Sequence, residues 1–81
     1  PNPFNPVTTL VFEIPANSNN KQVLLEVYDA AGKLIQTILD LDIAPGAYSV
    51  NIDLGSASSG VYFAVLRSGS FYESVKMVLV K

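Results

Sequence analysis

Over most of its length the chain alternates apolar and polar residues with a period of two, the signature of strands that bury one face. From Thr8 to Ile14, residues Leu10, Phe12 and Ile14 fall on one face and Thr9, Val11 and Glu13 on the other. Pro15 ends that run, and the polar stretch Asn17-Ser18-Asn19-Asn20 leads into a second, Gln22 to Tyr28, where Val23, Leu25 and Val27 alternate with Leu24, Glu26 and Tyr28. Asp29-Ala30-Ala31-Gly32 carries aspartate and glycine where a turn between hairpin strands wants them, and a third strand follows from about Lys33 to Leu39. Ala44-Pro45-Gly46-Ala47 has proline and glycine at the positions of a type II turn. It introduces a strand with Tyr48, Val50 and Ile52 on one face and Ser49, Asn51 and Asp53 on the other. Beyond the small-residue connection from Gly55 to Gly60, the run Val61 to Leu66 is apolar on both faces, as a central covered strand would be. Ser68-Gly69-Ser70 turns the chain into a last strand, Tyr72 to Val80, with Val75, Met77 and Leu79 opposite Lys76, Val78 and Val80.

Six strands, or seven if Ile38 to Ile43 contains a break, with turns about every 8 to 12 residues and no helical period, predict an all-β fold: an immunoglobulin-like antiparallel β-sandwich. Within it, Ser59-Gly60-Val61-Tyr62 has the form of a tyrosine corner, which turns Tyr62 rather than Phe63 inward and puts Ala64 where an antibody domain would carry its second cysteine. The domain itself is expected to span residues 8–81, behind a proline-rich lead-in over residues 1–7.

Composition narrows what such a domain does. With 81 residues the chain is one small domain, 49% apolar and 15% charged, far from the profile of a disordered segment. Its five basic residues, Lys21, Lys33, Arg67, Lys76 and Lys81, are scattered and the net charge is −2, which leaves no footprint for nucleic acid. No apolar run is long enough to read as a transmembrane helix, and no cleavable leader is evident. Because the chain opens on Pro1 rather than methionine, it is expected to be the C-terminal domain of a longer protein.

Histidine, cysteine and tryptophan are all absent, so the usual general base, the thiolate nucleophile and the commonest transition-metal ligands are missing, and the domain is expected to be neither an enzyme nor a cofactor carrier. Asp40 and Asp42 would help hold a hard cation only if loop carbonyls completed the shell; without a glycine-spaced, oxygen-rich loop they read as solvated acids at a strand end. Gly55 and Gly60 precede no Lys-Ser or Lys-Thr, so no phosphate loop is present. Tyr28, Tyr48, Tyr62 and Tyr72 would form an aromatic platform for sugar rings only if two were exposed on one face, and structural burial is the expectation.

The opening Pro1-Asn2-Pro3-Phe4-Asn5-Pro6 can neither pair inside a sheet nor form a helix, because proline lacks the N–H and fixes φ near −65°; Phe4 is a candidate anchor. This segment with Thr8-Thr9-Leu10, then Val27-Tyr28-Asp29 with Gly32, Pro45-Gly46, Ser59-Gly60-Val61-Tyr62-Phe63 and the terminal Lys76-Met77-Val78-Leu79-Val80-Lys81 resembles the C-terminal sorting domain of the type IX (Por) secretion system over the whole chain. The Ig-like domain of flagellar hook-capping proteins is similar at the same positions.

The sorting-domain resemblance implies a signal that directs an attached N-terminal cargo from the periplasm across the bacterial outer membrane to the cell surface or beyond. It also implies recognition by a secretion-machinery receptor and removal by a sortase-like protease cutting just upstream of the domain. The family's signal is concentrated near the C-terminus, which maps onto Gly60, Val61, Tyr62, Lys76, Val78 and Lys81. The stiff lead-in would then hold the cleavable linker away from the folded signal. In the last strand, Val78 and Val80 beside Lys76 and Lys81 form an apolar stripe with charged ends that a receptor would cover or extend by strand addition, unless those valines pack beneath a neighbouring strand or the Phe4 lead-in. Against the sorting reading stand a passive Ig-like spacer of an extracellular enzyme and, behind it, a carbohydrate-binding module.

Overall fold

The computed structural model describes residues 7–16 and 22–80. The proline lead-in with Phe4, the polar stretch Asn17 to Asn20 and Lys81 lie outside the described residues. The expected all-β architecture is observed: six strands, β1 (Val7–Ile14), β2 (Gln22–Asp29), β3 (Leu34–Asp42), β4 (Gly46–Asp53), β5 (Gly60–Ser68) and β6 (Phe71–Leu79). They form two antiparallel sheets, one of β1 and β4 and one with the order β3-β2-β5-β6.

The period-two pattern puts the core between the sheets. Phe12 and Ile14 from β1, Val23, Leu25 and Val27 from β2, Ile52 from β4, and Tyr62, Ala64 and Leu66 from β5 pack into one buried cluster. The alternation works because successive side chains leave a strand on opposite faces: Phe12 is 5% exposed and its neighbour Val11 73%. Phe12 faces Tyr48 across the β1–β4 pair, with ring centroids 5.7 Å apart. The hairpin between β2 and β3 is closed by Asp29, whose carboxylate accepts hydrogen bonds from the Ala31 and Lys33 amides, both at 2.9 Å. Asp53 does the same for the Gly55 amide at 2.8 Å after β4.

Three expectations change. The stretch Ile38 to Ile43 does not harbour a seventh strand, since β3 runs unbroken to Asp42. What breaks there is the register: Leu25 pairs with Leu39 but Glu26 with Thr37, and Val27 pairs with Gln36 but Tyr28 with Leu34. Ile38 and Ile35 are the extra residues of two bulges, which scramble the alternation that sequence reading relies on. Asp40 consequently lies within the strand, accepting a 2.8 Å bond from the Gln22 side chain. The turn before β4 is not type II either; Gly46 has the positive φ expected of it, but at 150° it opens the strand rather than adopting the roughly +80° of that turn. Finally, Tyr72 is not buried but 61% exposed.

Among the described residues Ser68 is the one buried polar side chain, 2% exposed, and its hydroxyl has no hydrogen-bond partner there. A hydroxyl desolvated without a partner costs about 1–3 kcal/mol. Ser68→Ala is therefore expected to leave the melting temperature unchanged or to raise it by a few degrees, checked by thermal denaturation followed by circular dichroism.

Candidate functional site

The residues singled out by sequence gather on β5 and β6, and the pairing of these strands decides which of them share a surface. Gly60 stands opposite Leu79, Val61 opposite Val78, Tyr62 opposite Met77 and Phe63 opposite Lys76. Antiparallel partners point to the same face, so Val61, Val78, Phe63 and Lys76 lie together on the outer face of the four-stranded sheet. Val78 is 65% and Val80 54% exposed, and no described strand covers this face. Tyr62 does not join them: it is 5% exposed and belongs to the core. Lys81 is outside the described residues.

Tyr62 and Gly60 act instead on the backbone. The Tyr62 hydroxyl donates to the Ser58 carbonyl at 2.6 Å, four residues back, which is the corner expected from Ser59-Gly60-Val61-Tyr62. The same device recurs unannounced at β4, where the Tyr48 hydroxyl donates to the Ala44 carbonyl. In both, glycine stands two residues before the tyrosine with a φ of 150° at Gly46 and 157° at Gly60. A Cβ there would lie about 3.8–4.0 Å from the ring as it reaches back, and it is the backbone angle, more than the space, that favours glycine. The spacing Gly-x-Tyr, present at Gly46-Ala47-Tyr48 and Gly60-Val61-Tyr62, was the sequence signal for the second corner.

The outer face extends beyond the terminal stripe. Across β2, β5 and β6 the rows read Tyr28, Phe63, Lys76; then Glu26, Val65, Ser74; then Leu24, Arg67, Tyr72. Val65 is only 6% exposed although no described strand lies above it. The Arg67 guanidinium sits 5.9 Å from the Tyr72 ring centroid, a cation–π distance. The Tyr28 hydroxyl donates to the Glu26 carboxylate at 2.7 Å. That bond, with burial and the negative charge of Glu26 adding to it, holds the Tyr28 phenol above its ordinary pKa. The face thus brings together the apolar Leu24, Val61, Phe63, Val65 and Val78 with the charged Glu26, Arg67 and Lys76. Sequence analysis found the β6 part of it and Val61 of β5; the rest of the β5 part was signalled by the two-faced apolarity of Val61 to Leu66.

The two ends of the sheet differ. β3 is irregular, with two bulges, and bulges keep an edge from pairing with other chains. β6 pairs with β5 over nine residues without a register shift, so its outer edge is straight. Beside it runs an open groove of about 470 Å³ between the β1 and β6 edges, lined by Thr8, Leu10, Leu54, Val75, Met77 and Val78 among others.

Among the described residues no helix is long and apolar enough to cross a membrane. A family model described as a secretion system C-terminal sorting domain matches residues 1–81. Comparison with curated proteins and with solved structures gives no match.

Proposed function

The chain belongs to the family of secretion system C-terminal sorting domains, and from that premise we propose that the outer face of β5 and β6 is the surface its export receptor reads. A domain of this family is a sorting signal for type IX secretion and not itself a catalyst; the cargo attached to it is exported across the outer membrane to the cell surface or the extracellular space.

The observation that carries the proposal is the juxtaposition of Val61 and Val78 as register partners, Val78 being 65% exposed on the one straight edge strand of the larger sheet. An apolar stripe of this kind, flanked by Lys76, gives a receptor both buried area and a charge to fix register. Lys81 continues the stripe's charged end in sequence. Gly60 and Tyr62 contribute indirectly, by holding β5 in the position that presents Val61. Upstream, the stiff Pro1-Asn2-Pro3-Phe4-Asn5-Pro6 would keep the linker extended for a sortase-like protease, since proline cannot enter the sheet.

Val78→Asp places a carboxylate in the centre of that contact at a position where the free domain is open to water, so the fold is retained and the complex is weakened. Secretion of a fused reporter from a type IX-competent cell is expected to fall about tenfold or more, the effect of burying one unpaired charge in an interface. Lys81→Glu is expected to reduce it in the same direction and by less. Circular dichroism confirms the fold of each variant. A folded Val78→Asp domain that exports its reporter at the wild-type rate would eliminate the surface and favour a passive spacer.

A further inference from the structure

We infer that the groove between β1 and β6 is an acceptor for an extended strand of the export receptor, which pairs with the Thr8 to Glu13 edge of β1, where β1 meets no other described strand, and completes the smaller sheet. The inference rests on the sorting reading and concerns a different surface from the outer stripe. Its starting point is a mismatch of widths: a sheet of two strands faces a sheet of four. The narrow layer covers the central strands, where Val23, Leu25 and Val27 are fully buried, yet Val75, which points to the same side from β6, remains 37% exposed. One more strand beside β1 would cover it.

The backbone on both sides of the groove is prepared for this. β1 bonds to β4 along one edge and meets no described strand along the other; β6 bonds to β5 and meets none beyond. From Thr8 to Glu13 the open edge of β1 spans six residues, about 20 Å at 3.3–3.4 Å each, which sets the length of the guest. The charges along the channel are unequal. Near the start of β1 and the end of β6 the described lining is apolar or hydroxylic apart from Lys76, whose side chain leaves β6 on the outer face. Further along, where the end of β1 meets the start of β6, a second cleft is lined by Glu13 and Glu73 beside Phe12 and Phe71. A complementary guest carries a cation towards the two glutamates. Running antiparallel to β1, the better-bonded orientation, it would have that cation in its N-terminal half, with small apolar side chains alternating towards its C-terminal half.

The probe is an acetylated, amidated octapeptide, Lys-Thr-Val-Thr-Val-Glu-Val-Thr, titrated into the isotope-labelled chain and followed by amide chemical shifts. Shifts are expected at Thr8 to Glu13 and at Val75 and Met77, with the outer-face residues Phe63 and Val65 unmoved. Exchanging the lysine and glutamate of the peptide is expected to weaken binding at least tenfold, and methylating alternate peptide nitrogens to abolish it. Val75→Lys, at a half-open position, should abolish binding while the rest of its spectrum is retained. No shifts at millimolar peptide, shifts confined to the outer face, indifference to charge order, or self-association of the chain through these same residues would each overturn the proposal. These outcomes are read from chemical shifts of the isolated chain and do not depend on the export assay of Val78→Asp.

Discussion

Leu25→Ala is expected to lower the melting temperature of the domain by about 8–40 °C and to remove export at growth temperature. Leu25 is fully buried at the centre of β2, between β3 and β5, and faces the thin layer of β1 and β4. Truncating a fully buried leucine costs about 2–5 kcal/mol, the loss of transfer energy plus the cavity left behind. A domain of 81 residues has about 4–12 kcal/mol to lose at 0.05–0.15 kcal/mol per residue, and each kcal/mol moves the midpoint about 4–8 °C at this size. The thin layer aggravates the loss, because β1 and β4 have no further described strand at their backs to press them into a cavity. Thermal denaturation followed by circular dichroism measures the shift. A change below about 0.5 kcal/mol, the range of surface substitutions, would show that the two-stranded layer contributes little to the core.

That prediction uses the part of the fold that was legible from the residues. Strands with clean alternation, β1, β2, β4 and β6, could be read to within a few residues, because a sheet with one buried face imposes the period directly on the sequence. β3 resisted because its two bulges put Ile38 and Leu39, adjacent in sequence, both half-inside; a bulge has no residue signature of its own when no glycine marks it. The site was legible where it depends on exposure of apolar residues, as with Val78 and Val80. The inward turn of Tyr62 could be read from its corner motif, but the pairing could not: only the register shows that Val61 and Val78 adjoin. The groove beside β1 left no trace in the sequence at all, being a consequence of how many strands each sheet holds. Nor does a motif announce whether it is read by a partner or shapes the chain. Asp29 with Gly32, Pro45-Gly46 and Gly60-Val61-Tyr62, all among the markers that carry the family resemblance, prove to close turns and corners.

This distinction yields the second large effect, at Tyr62. If the tyrosine is a corner and not a contact, its two substitutions should separate by stability alone. Tyr62→Ala removes a ring that is 5% exposed and is expected to cost about 3–5 kcal/mol, enough to unfold much of the population and with it the signal. Tyr62→Phe keeps the ring and removes only the 2.6 Å bond to the Ser58 carbonyl. Leaving that acceptor unpaired should cost about 1–3 kcal/mol, a midpoint lower by on the order of 4–24 °C. The Phe variant should therefore export its reporter normally at a temperature where circular dichroism shows it folded, and fail only as it melts, with the export curve following the unfolding curve. Raising stability elsewhere, by the Ser68→Ala change, should shift both curves together. A folded Tyr62→Phe domain that is nonetheless blocked in export would mean that the hydroxyl is itself recognised, and that the buried corner opens when the receptor binds.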